Sequence, residues 1–172
     1  MNTQDKLPQR KHTRLKHFDY SSCGAYFITI CTHNRQCILS RINVGGDVPD
    51  APQCVDLLPF GVIADRYIQQ LNEFYDEITI DQYVIMPNHI HILLIVSYNG
   101  ASGTSHPTKQ HSIVSKFVST FKRFCNKEYG NNIWQTSFYD HIIRNKEDYQ
   151  EIVKYIYQNP MQWYFDELYV DE

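Results

Sequence analysis

The chain has 172 residues, 42% hydrophobic and 14% aromatic, with a formal net charge of −3. That length suits one domain with a substantial core and is short for two. No stretch reaches the roughly 20 apolar residues of a membrane helix, and Met1-Asn-Thr-Gln-Asp-Lys6 lacks a signal peptide's apolar core, so a soluble cytoplasmic protein is expected.

The cysteines, Cys23, Cys31, Cys37, Cys54 and Cys125, are odd in number and form no Cys-x-x-Cys. This argues against a disulfide framework or a zinc knuckle and for free thiols. The net charge does not advertise a nucleic-acid binder, but its distribution is uneven. A basic arm over residues 1–20 carries Lys6, Arg10, Lys11, Arg14 and Lys16. Lys116, Lys122, Arg123 and Lys127 form a second acid-free basic stretch, and residues 161–172 form an acidic C-terminal tail. Such local patches can neutralise phosphates even when the total charge is slightly negative.

In chain order, Ala25–Thr32 is the first predicted strand, rich in aromatic and β-branched residues. Residues 43–56, with Gly45-Gly46 and two prolines, read as a loop. Pro59 suits a helix start, and Ile63, Ile68, Leu71 and Phe74 give a helical stripe to about Tyr75. Glu77–Ile85 is a second strand, Met86-Pro-Asn88 a turn, and the apolar run after it a third strand. Residues 98–110 are small and polar, a flexible loop. A helix over 112–129, with Ile113, Phe117, Phe121 and Phe124 on one face, is closed by Gly130. A strand near Ser137–Ile143 and a helix from about Glu147 follow, the helix interrupted at Asn159-Pro160. The order β-α-β-β-α-β plus a C-terminal helix suggests an α+β, ferredoxin-like (RRM-like) antiparallel sheet in a single domain.

The third strand opens with His89-Ile90-His91. Strand side chains alternate faces, so the two imidazoles project together while Ile90 points into the core. Paired imidazoles on a rigid element suit a divalent metal, and hydrogen-bonded strand histidines are the plainer alternative. In the last helix, Tyr155 and Asn159 are four residues apart and share a face. No other tyrosine of the thirteen has an amide, carboxylate or imidazole at that spacing. Pro160 places Asn159 at a helix end, where carbonyl dipoles favour a cation.

The segments Tyr26–Arg35, Ile85–His91, Ile133-Trp-Gln135, Asp140–Arg144 and Tyr155–Pro160 together resemble the single-tyrosine HUH transposases, especially the REP-associated tyrosine transposases. The likeness spans roughly residues 10–160, in the right order. It implies that His89, His91 and Asn159 hold Mg²⁺ or Mn²⁺ and that Tyr155 is the nucleophile. Many members of the wider class have Gln where Asn159 stands. The implied activity is metal-dependent cleavage and rejoining of single-stranded DNA through a 5′-phosphotyrosine. The implied substrate is a REP-like hairpin with a short unpaired guide, handled by a monomer or a homodimer.

His141 falls in a matched segment without an assigned role. Arg10, Lys11, Arg14, Lys16, Lys116, Lys122, Arg123 and Lys127 are candidates for the DNA backbone, and Tyr83 or Tyr139 for base stacking. A replication or conjugation initiator of the same class needs further domains for which 172 residues leave no room. The remaining alternatives are a non-catalytic single-stranded nucleic-acid-binding module on an RRM-like sheet and a domesticated relative that only cleaves.

Overall fold

A computed structural model describes residues 22–43, 54–97 and 112–170. The basic arm with Arg10, Lys11, Arg14 and Lys16, and the 98–110 loop, lie outside the described residues. The elements are β1 (Gly24–Cys31), β2 (Ser40–Asn43), β3 (Cys54–Leu57), α1 (Pro59–Phe74), β4 (Ile78–Ile85), β5 (His89–Val96), α2 (Ile113–Tyr129), β6 (Tyr139–Ile143) and α3 (Lys146–Gln158). A 3-10 turn, His33–Arg35, follows β1, and a 3-10 segment, Asn159–Phe165, follows α3.

The main sheet has the order β4-β5-β1-β6, and every neighbouring pair is antiparallel. The α+β reading holds, and the histidine strand is one of the two central strands. β2 and β3 pair into a separate two-stranded sheet at the two ends of the expected 43–56 loop. Four-residue strands are too short to show a period among turn residues.

Alternation along β1 and β5 sorts the sheet into two faces. Tyr26, Ile28, Ile30, Ile90, Ile92 and Leu94 are wholly buried with Ile68, Leu71, Phe117 and Phe121 of α1 and α2. The helical stripe of α1 therefore runs through Gly61, Ala64, Ile68 and Leu71. Phe74, expected in that stripe, is 74% exposed at the helix end. α1 approaches the chain closely because Gly61 has no side chain: a Cβ there would sit 1.9 Å from the Leu39 carbonyl oxygen. α2 is capped by Ser112, whose hydroxyl accepts from the Ser115 amide, and closed by left-handed Gly130.

The opposite face carries Phe27, Thr29, His89, His91 and Leu93, and α3 crosses it. A register shift between Ile80 and Gln82 leaves Asp81 outside the β4–β5 ladder. The Tyr149 hydroxyl donates to Asp81 Oδ2 at 2.6 Å and ties α3 to that edge. α1 and α2 thus cover one face of the sheet, while α3 covers the other. The Ile133-Trp-Gln135 segment extends this frame: the Gln135 amide donates to the Cys31 carbonyl, and Trp134 is buried against Phe121.

Candidate active site

β5 delivers His89 and His91 to one face of the sheet, 0% and 3% exposed. Burial pushes His89 down to about 3, with the Arg35 guanidinium adding to the shift and the Asn159 side chain opposing it. Burial, and then the His89 neighbour, hold His91 well below the usual histidine range, with Asp166 opposing. Both rings are neutral at pH 7, the form that binds metals.

Their outer nitrogens are held by neighbours on the same face. The Asn88 Nδ2 donates to the Leu168 carbonyl at 2.8 Å, which turns Asn88 Oδ1 toward His89. His89 Nδ1–H donates to that oxygen at 2.8 Å, so His89 Nε2 is a bare lone pair. Thr29, which faces His91 in the β1–β5 register, has its Oγ1 2.8 Å from His91 Nδ1. A hydroxyl can donate or accept, so Thr29 serves His91 in either tautomer.

The two Nε2 atoms face each other at 3.0 Å. Neighbouring ligands about 2.1 Å from an octahedral ion are about 3 Å apart. The Asn159 amide completes the cluster. Its Nδ2 donates to Asp166 Oδ2 at 2.8 Å. Its Oδ1 is buried and makes no hydrogen bond. A buried oxygen without a partner costs about 1–3 kcal/mol, and a cation beside the imidazoles would satisfy it. The donor set fits a divalent ion.

Tyr155 stands one helical turn before Asn159. Its hydroxyl is 3.4 Å from His91 Nε2 and 3.3 Å from Asp166 Oδ2. Its ring meets Phe27 and His91 edge-on, at centroid distances of 5.9 and 5.2 Å. Burial and the neighbouring Asp166 carboxylate push its hydroxyl up to about 12. His89, His91, Asn159 and Tyr155 thus come together in one copy of the chain, at a cleft of about 650 Å³.

Asp166 is the member that sequence reasoning missed. Ligand atoms of His89, His91 and Asp166 all lie within 4.8 Å of one another. The sequence marks residues 161–172 only as an acidic tail, and no spacing links Asp166 to the histidines. The 3-10 segment after α3 turns the chain back, and three contacts hold it. Arg35 Nη1 donates to the Glu167 carbonyl at 3.2 Å, Asn88 to the Leu168 carbonyl, and the Leu168 amide to Asp166 Oδ1 at 2.7 Å.

The basic residues of α2 stand elsewhere. Lys116, Arg123 and Lys127 are exposed along shallow grooves on the far side of the sheet from the cleft. Lys122 is bound intramolecularly, its ammonium donating to the Gln135 carbonyl at 2.7 Å and the Ser137 carbonyl at 2.9 Å. Burial pushes Lys122 down to about 8, with the nearby Cys31 opposing the shift. Tyr83 lies on the α1 side, its hydroxyl donating to Asp65 at 2.6 Å, whereas Tyr139 is 52% exposed and lines the cleft.

An antiparallel sheet with a histidine–hydrophobe–histidine pair on a central strand, faced by a tyrosine-bearing helix, is the arrangement expected from the resemblance to single-tyrosine transposases. Similarity to known proteins agrees. An uncharacterized protein of Haemophilus influenzae is 34% identical over 180 aligned residues, covering 96% of both chains. A REP-associated tyrosine transposase of Escherichia coli is 31% identical over 83 residues, 48% of this chain and 44% of that one. Among solved structures, a REP-associated tyrosine transposase bound to a REP hairpin shares the fold with a TM-score of 0.58 and 21% identity, covering 94% of this chain and 77% of that one. No family model matches the chain. The chain is similar in sequence to REP-associated tyrosine transposases and shares the fold of one of them.

Proposed function

We propose that this chain is a transposase-type transesterase of single-stranded DNA that uses Mg²⁺ or Mn²⁺, cuts beside a hairpin, and forms a 5′-phosphotyrosine at Tyr155. One observation carries the reading. Two buried neutral imidazoles turn their Nε2 atoms on each other at 3.0 Å, beside a buried amide oxygen with no hydrogen bond and a tyrosine hydroxyl 3.4 Å away. A nucleic-acid-binding module without catalysis has no use for that set.

His89, His91 and Asn159 would hold the ion, which supplies positive charge to the non-bridging phosphate oxygens. The chain's own residues do the rest. Tyr155 Oη attacks phosphorus, and its proton passes to Asp166 Oδ2, the carboxylate oxygen within reach. The bond from phosphorus to the 3′ oxygen breaks, and that oxygen leaves as a hydroxyl with a proton from solvent. The ester to Tyr155 keeps the 5′ phosphate activated, so a 3′ hydroxyl can reverse the step and join strands without ATP. Tyrosine at about 12 is a weak nucleophile by itself, which is why the site needs charge beside it.

The test is incubation of a labelled hairpin with Mn²⁺ or Mg²⁺, followed by a denaturing gel. A covalent adduct is expected from the wild type and none from Tyr155→Phe or in EDTA. An adduct on Tyr155→Phe removes the nucleophile, and an adduct in EDTA removes the metal role.

A further inference from the structure

We propose that the cleft carries a phosphate track, with Arg35 and His141 binding the backbone on opposite sides of the histidine pair. The inference rests on the DNA reading above and adds the residues that hold the strand. Both residues line the same cleft as His91 and Tyr155.

Strand register orders them. Cys31 faces His89, Thr29 faces His91, and Phe27 faces His141 on the other side of β1. His141 therefore shares the face of Phe27, Thr29 and His91. Arg35 sits past the end of β1, beyond the His89 row, and His141 lies beyond the His91 row on β6. A line across the face meets Arg35, the two histidines with Tyr155, and then His141. Strands about 4.8 Å apart put β6 about 10 Å from β5. Asp148 and Tyr155, seven residues apart on α3, are also about 10 Å apart along its axis. His141 is thus out of reach of Tyr155 and of a phosphate held at the histidine pair. It can meet a neighbouring phosphate of an extended strand.

Each residue is placed for the role. Asn34 and Arg35 both have φ of 54°, a left-handed conformation rare for residues other than glycine, and Arg35 lines the cleft with Nη1 on the Glu167 carbonyl and its other N–H groups left for a phosphate. His141 Nε2 donates to both Asp148 oxygens, at 2.9 and 3.0 Å. Asp148 also accepts from the Arg144 amide, and its own amide donates to the Asn145 cap of α3. The ring is fixed through Nε2, and its side chain is 52% exposed. When protonated, it keeps Nδ1–H for an anion.

The test measures binding, separately from chemistry. A fluorescent single strand of about 15 nucleotides is titrated in EDTA with Tyr155→Phe protein at several salt concentrations. Arg35→Gln and His141→Gln, each made in that background and each keeping a donor for its present partner, are expected to weaken binding about fivefold. Each should also lower the salt slope by about 0.7. His141→Gln can still donate to Asp148, so the α3 cap is kept and only the imidazole is lost. Affinity and slope unchanged in both variants overturn the track. Loss with His141→Ala but not with His141→Gln also overturns it for that residue, because the ring then only braces α3. Adduct formation with Mn²⁺ is scored separately in the Tyr155 protein. Wild-type adducts with unchanged variant binding remove the track and leave the chemistry, and lost binding without wild-type adducts does the reverse.

Discussion

Thr29 is the residue on which the ligand state of His91 turns. Its hydroxyl meets His91 Nδ1 at 2.8 Å and can accept a hydrogen bond from Nδ1–H, which leaves Nε2 free for a cation. Thr29→Val keeps the shape and leaves Nδ1 without a partner. Mn²⁺ affinity, measured by calorimetry, is expected to fall about 10–100-fold, with little change in circular dichroism. Gly61 sets a different constraint, on packing. A methyl group 1.9 Å from the Leu39 carbonyl oxygen cannot be seated without moving α1 or the chain before β2. Gly61→Ala is expected to cost about 1–3 kcal/mol, seen as a lower urea midpoint at unchanged slope. The histidine pair could be read from the sequence because its spacing is the strand period itself. Thr29 could not, because it lies 62 residues from His91 and meets it only through strand register.

α3 is the element that brings Tyr155 to the metal ligands, and its hold on the sheet is thin. Ile156 is its one buried side chain among the described residues. The Tyr149–Asp81 hydrogen bond and the ring contacts of Tyr155 add to that hold. Ile156→Ala is expected to cost about 2–4 kcal/mol. Because α1 and α2 pack on the other face, the loss should concentrate in α3. Hydrogen exchange should quicken in α3 while α1 and α2 stay protected, and adduct formation should fall with it. Uniform quickening would mean that α3 is integral to the main core. The order of long strands and helices was legible because each carries its own hydrophobic period. The β2–β3 hairpin was not, because neither strand is long enough to repeat. The placement of Asp166 was not legible either. It depends on the 3-10 segment Asn159–Phe165 reversing the chain, and Pro160 signals only that the helix ends.

On the scale of the whole molecule, the sheet separates the cleft from a basic surface. The cleft lies on the α3 side, with Arg35 and His141. The exposed stripe Lys116, Arg123 and Lys127 lies on α2, behind the opposite face. A short single strand in the cleft cannot touch α2, whereas a hairpin whose stem wraps past the sheet edge can. Charge at the two surfaces should therefore act on different parts of one substrate. Lys122 does not belong to this stripe, because its ammonium is spent on loop carbonyls and its loss would disturb the 133–137 segment. The separating variant is the triple change Lys116→Glu, Arg123→Glu and Lys127→Glu, which leaves every buried residue in place. It is expected to reduce hairpin affinity and to flatten the hairpin's salt dependence, by about 0.9 per lost contact to a duplex phosphate. Binding of a short single strand should stay within about twofold of wild type, since a distant surface charge is screened over about 10 Å at 0.1 M salt. Equal losses for both substrates would show that the α2 stripe acts as a general attraction for DNA. An unchanged hairpin slope would mean that the stem never reaches α2 and that the grip lies on the cleft side alone.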